Sequence, residues 1–144
     1  MVILIKEKIQ MEYIMENFNF ILPEEISAIV SDWFWDIIRN ANQNEDKLRE
    51  TLRKMDQASI IKFQEQFLDA AAVLQDEPFL NYIEESEDGI EDVSYLVVSR
   101  GKKYYAEILN NPEKIPFTAG NCEILFGIAD EICIEKYGES TKVY

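Results

Sequence analysis

From Pro23 onward, apolar residues recur every three or four positions, the period of helices that bury one face. Pro23 suits the first turn of a helix, and Glu24 and Glu25 after it favour a helix N-terminus. Ile26, Val30, Trp33, Phe34, Ile37, Ile38 and Ala41 follow one 3.6-residue stripe, read as one helix. Asn42 to Asn44 reads as a loop, with Asn44 placed to cap the next helix. That helix has a narrow seam of Leu48, Leu52 and Met55. A further helix, from about Ser59 to Gln75, turns Ile60, Phe63, Phe67, Ala70, Ala71 and Leu74 inward. Pro78 opens a short segment carrying Phe79, Leu80 and Ile83, and the run EESEDGIED follows as a turn around Gly89.

Later segments are less uniform. Val93, Leu96, Val97, Tyr104, Ile108 and Leu109 can serve one helical face interrupted near Gly101, but the β-branched VSYLVV suits a strand equally well. Asn111-Pro112 marks a turn. Asn121 is expected to cap a last helix, with Leu125, Ile128 and Ile132 on one side and Phe126, Ala129, Cys133 and Tyr137 beside it. Gly138 would end that helix in a left-handed conformation. At the N-terminus Ile3, Ile5, Ile9, Met11, Tyr13 and Met15 alternate as in a strand, broken at Glu7, while Ile5, Ile9 and Tyr13 also suit a helix. Extended structure is the reading adopted there. With no repeat and no Gly/Ser- or Pro-rich linker, the expectation is one all-α domain over 1–144. It has a helical core over 23–138 and an N-terminal segment over 1–22, a short strand or hairpin.

Size and charge narrow the classes. A chain of 144 residues, 47% apolar with eight Phe, seven Tyr and two Trp, can bury a core without a metal or disulfide. Its 28 acidic residues against 14 basic ones give a net charge of -14. Such a field repels nucleic-acid phosphates and anionic membrane surfaces, and attracts basic proteins. The opening MVILIKEKIQ is too short and too charged for a signal peptide or membrane span, so a cytoplasmic setting is expected. Cys122 and Cys133, read as eleven residues apart on one helix, would lie about 16 Å apart, beyond disulfide reach. Both fit an apolar face as buried free thiols, which suits a reducing compartment.

Much chemistry is missing. The chain has no histidine, which removes Ser-His and Cys-His dyads, His-ligated zinc and imidazole acid-base catalysis. Two cysteines cannot form a structural zinc site, and the five scattered glycines form no phosphate loop. A calcium loop with Gly89 at its sixth position would use Glu84, Ser86 and Asp88, but the twelfth position is then Tyr95 instead of Glu. Pairs such as Glu87/Asp88 arise by chance among so many carboxylates. No catalytic residue, cofactor or metal is assigned, and the expectation is a protein that is not an enzyme.

Charge position is more telling. Phe63 to Ser99 holds ten acids and no base, whereas Arg39 to Lys62 holds six bases and four acids. One negative face is expected, carried by Asp76, Glu77, Glu84, Glu85, Glu87, Asp88, Glu91 and Asp92. Among Trp33, Phe34 and Trp35, helical spacing sends at least two into the core; Trp33 and Phe34 are assigned there. Trp35 is the expected surface residue and a further binding candidate.

Several stretches resemble a bacterial family, domain of unknown function 4240. Phe34-Trp35-Asp36-Ile37-Ile38-Arg39-Asn40-Ala41 resembles its first helix, and Ile60, Phe63 and Phe67 its I-x-x-F-x-x-x-F pattern. Ser86-Glu87-Asp88-Gly89-Ile90 is similar to its S-D-D-G-F turn, followed by Gly101, Tyr104, Leu109 and Asn111-Pro112. Ala129 to Tyr137-Gly138 matches its closing helix. The likeness spans about residues 33–138, with departures at Glu87, Ile90, Ser94 and Leu96. It implies an α fold, favours helix for VSYLVV and implies no activity.

The function expected is an acidic protein-binding module, most concretely an immunity protein neutralising a basic bacterial toxin such as a nuclease. Alternatives are a structural or regulatory adaptor, a nucleic-acid-mimicking inhibitor and, last, an enzyme.

Overall fold

The computed structural model describes residues 23–144, so the strand or hairpin expected within 1–22 lies outside the described residues. Seven α-helices follow, with no strand among the described residues: α1 Pro23–Ile29, α2 Asp32–Ala41, α3 Glu45–Arg53, α4 Gln57–Leu74, α5 Glu87–Ser99, α6 Lys102–Asn110 and α7 Ile128–Tyr137. Short 3-10 turns lie at Phe79–Tyr82 and Pro112–Lys114. Among the described residues no helix is long and apolar enough to cross a membrane.

Local chemistry sets many boundaries. The Asn44 side chain accepts from the Lys47 N–H at 3.0 Å, Asp56 from Ser59 at 2.8 Å and Ser86 from Gly89 at 3.0 Å. Each supplies an acceptor to a first-turn amide that has none within its helix. Asp56 therefore starts α4 two residues before Ser59, the expected position. Gly138, at φ 77°, ends α7 in the left-handed conformation expected of it. VSYLVV is helical, because both sides of α5 are buried: Val93, Ser94, Leu96, Val97 and Val98 all meet the core.

α4 is the centre of the packing, touching α2, α5 and α7. Phe34 of α2 stands 5.1 Å from Phe63 and 5.8 Å from Phe67, ring centre to centre. Phe126 stacks on Tyr95 at 3.9 Å and reaches Phe67 at 5.5 Å. Buried Tyr105 of α6 donates its hydroxyl to the Ala70 carbonyl at 2.8 Å, pinning α6 to α4. α3 and α7 are held by Arg49–Glu131 and Arg53–Glu135, and the four-residue steps continue to Gln57 at the start of α4 with Glu139 just beyond α7. Pairing in ascending order on both elements means that the two helices run parallel.

Three expectations are corrected. The stripe Ile26–Ala41 is two helices, because Ser31 turns extended at φ -69°, ψ 158°. Its backbone N–H and hydroxyl both donate to the Gln66 side chain, a tertiary bond that replaces the helical one. Trp35 does not reach the surface: it is 4% exposed, packed 5.1 Å from Tyr105, while Trp33 is the half-buried one, with the Lys62 ammonium over its ring. α2 is gripped on two sides, by α4 through Phe34 and by α6 through Trp35, so consecutive rings both go inward.

The last helix starts at Ile128, not after Asn121. Gly120 and Gly127 adopt positive φ of 59° and 97°, which a helix does not accommodate. Cys122 consequently sits exposed outside any helix, while Cys133 is buried in α7.

Candidate functional site

The acidic residues come from the exit of α4, the link between the 3-10 turn Phe79–Tyr82 and α5, and the first half of α5. Phe79 and Ile83 are buried and fasten the turn to the core, leaving Asp76, Glu77, Glu85, Glu87, Asp88 and Asp92 exposed and Glu84 and Glu91 half-buried. The expected turn around Gly89 is instead the first turn of α5, capped by Ser86. Glu87 and Asp88 therefore sit at the positive end of a helix dipole, which favours carboxylates there. Gly89 itself is buried, because Glu84 folds over it: a Cβ would lie 2.1 Å from Glu84 Oε1.

Glu84 is the organising residue. Its backbone N–H donates to the Phe117 carbonyl at 2.9 Å, and its carboxylate accepts from the Ser86 hydroxyl at 2.7 Å. Hydrogen bonds from Ser86 and then Thr118 hold its pKa below the ordinary carboxylate value. These contacts bring the Phe117–Thr118 loop onto the acidic face. Phe117 is 66% exposed and Tyr82, in the 3-10 turn, 42%.

None of the eight carboxylates forms an ion pair with a described lysine or arginine. The paired bases serve other acids: Arg39 with Asp36, Arg49 with Glu45, Asp46 and Glu131, Arg53 with Glu135, Lys102 with Asp32 and Lys114 with Glu107. The eight acids thus have no ion-paired cation among the described residues, and the exposed Phe117 adjoins them at Glu84. Trp35, the ninth candidate, is buried and does not belong to this face. Phe117 was missed by sequence reasoning; its one signal is an aromatic residue beside Pro116, outside any helical period.

Among the described residues no group of three or more carboxylates or cysteines is placed to hold a metal ion. Ser86 caps α5 and donates to Glu84, while Asp88 lies in the first turn of that helix. The departures at Ser94 and Leu96 are internal: buried Ser94 receives the Gln75 amide at 2.8 Å, and Leu96 lies in the core.

The model of a family described as a protein of unknown function, DUF4240, matches residues 30–135. The chain belongs to that family, and the match takes in α2 to α6, the whole acidic face and most of α7. No curated protein and no solved structure matches the chain.

Proposed function

We propose that this protein is a non-enzymatic binding module that engages a basic protein partner through the acidic face, with Phe117 as apolar anchor. The observation that carries this reading is the set of eight carboxylates without an ion pair among the described residues, joined at Glu84 by Phe117, a ring left 66% exposed. Interface energy concentrates in buried aromatic and charged anchors, and surrounding charge accelerates encounter. Helix caps and the Glu84 clamp hold the face in advance, so little ordering remains to be done on binding.

In its most concrete form the protein is a cytoplasmic immunity protein that neutralises a cationic toxin. Strong acidity and a preformed face suit an inhibitor that must capture such a toxin quickly. Co-expression with the product of an adjacent toxin gene tests this. Growth should be rescued by the native protein and lost when Phe117→Ala is combined with neutralised acids. Rescue by that variant would remove the proposed face from the mechanism.

A further inference from the structure

A second surface carries the opposite charge. Between α1 and α2 on one side and the α5–α6 elbow on the other lies a cleft of about 820 Å³, within the size range of small-molecule sites. Arg39, Arg100, Lys102 and Lys103 line it, against the carboxylates of Asp32 and Asp36. This local excess of positive charge occurs in a chain whose net charge is -14. Asp36 engages Arg39 at 3.1 Å, and Asp32 engages Lys102 at 3.2 Å. Arg100 lies over the Tyr104 ring and donates to the Cys122 thiol at 3.8 Å, and among the described residues neither it nor Lys103 is in an ion pair.

Two further features are independent of those charges. α6 begins in this cleft at Gly101, whose φ of 103° only glycine adopts readily, and no side chain caps its first amides. Trp35 also lines the cleft, is 4% exposed, and its buried Nε1–H has no hydrogen-bond acceptor among the described residues. A buried indole N–H without a partner is costly and uncommon. Its position on the wall of a basic, open cleft identifies where the acceptor would come from.

We propose that this cleft binds a small organic oxyanion, its charged group at the α6 N-terminus between Arg100 and Lys103 and its body against Trp35. A phosphate and a carboxylate share this chemistry: each accepts from amides, guanidinium and ammonium, and an oxygen of the ligand takes the indole proton. The site is separate from the acidic face and does not depend on the partner proposed for it.

The test follows the indole N–H resonances of the nitrogen-15-labelled protein, assigned with Trp33→Phe, and the backbone amides of Lys102 and Lys103, during titration with phenyl phosphate, benzoate and neutral phenol. The Trp35 signal should shift with at least one anion and not with phenol. A response to phenyl phosphate alone identifies a phosphate ligand, and one to benzoate alone a carboxylate. Arg100→Gln with Lys103→Gln should weaken binding about tenfold or more, the loss of charge-assisted hydrogen bonds. Trp35→Phe, followed by the Lys102 and Lys103 amides, should weaken it less; should that variant fail to fold, the exposed double variant still decides. No shift with either anion, an equal shift with phenol, or undiminished binding by the double variant would overturn the proposal.

Discussion

Replacing Tyr105 with phenylalanine removes one oxygen from the centre of the molecule and leaves the ring. The native hydroxyl donates at 2.8 Å to the Ala70 carbonyl from a side chain with no exposure. Losing this bond leaves a buried carbonyl short of a partner, which costs about 1–2 kcal/mol. The ring stays against Trp35, so the 3–5 kcal/mol expected of a large-to-small change at an aromatic residue does not apply. Urea titration should therefore show a lower midpoint with an unchanged slope.

The same residue makes a second, independent signature. Burial raises the Tyr105 phenol above its ordinary pKa of 10.0, so the folded state holds that proton more tightly than the unfolded state. Stability from this source is fully present below pH 10 and declines as pH rises further, at about 1.4 kcal/mol per unit. The phenylalanine variant lacks this loss. The stability gap between the two proteins should be widest near neutrality and shrink by about 1 kcal/mol at pH 11. An equal gap at both pH values would refute the desolvated phenol, and no gap at neutrality would refute the hydrogen bond.

Gly89→Ala should show little of the roughly 1 kcal/mol that alanine brings to a helix, because its Cβ collides with the Glu84 carboxylate; in a Glu84→Ala background the full gain should appear in denaturant titration. Equal gains in both backgrounds would mean that Glu84 does not fold over the helix. Cys122 should react with a thiol reagent in the native protein while Cys133 reacts only after unfolding, since Cys122 is exposed and burial raises the Cys133 thiol pKa. Mass spectrometry should find one label natively and two in denaturant; two native labels would show α7 to be open. Asp56 and Glu135 are held below their ordinary values, Asp56 by bonds from Ser59 and Glu135 by Arg53. Their contributions are present above the unfolded carboxylate range and are lost as pH falls from there through the lowered folded values, so acid titration of Asp56→Asn should be shallower than that of the native chain.

What could be read from the sequence was local. The period of Ile60, Phe63, Phe67 and Leu74 needs only one buried face, and the caps at Asn44 and Gly138 need only neighbouring amides and carbonyls. What could not be read depends on residues distant in sequence. Ser31 breaks a continuous stripe because Gln66 is there to receive its donors. Trp35 turns inward because Tyr105 offers a second wall, a fact invisible in the periodicity of α2. The acidic cluster was legible as a run of charge, but its helical entry and the aromatic residue beside it were not. Phe117 joins that cluster only through a backbone bond to Glu84. The oxyanion cleft was equally hidden, since its cations come from α2, the α5–α6 elbow and the start of α6.

The proposed binding role rests on the acidic carboxylates steering a basic partner onto this face. The direct measurement is the association rate of a co-purified basic partner, followed across ionic strength for two proteins. One is native; the other carries Gln at Glu84, Glu85, Glu87 and Glu91 and Asn at Asp88 and Asp92, with circular dichroism confirming its helices. The native rate should be high in low salt and fall steeply as salt is added, because screening shortens the reach of the face. The neutralised protein should associate slowly, with a nearly flat salt dependence. Equal affinity and an equal salt slope for the two proteins would show that the acidic face is solvated surface and not the binding site.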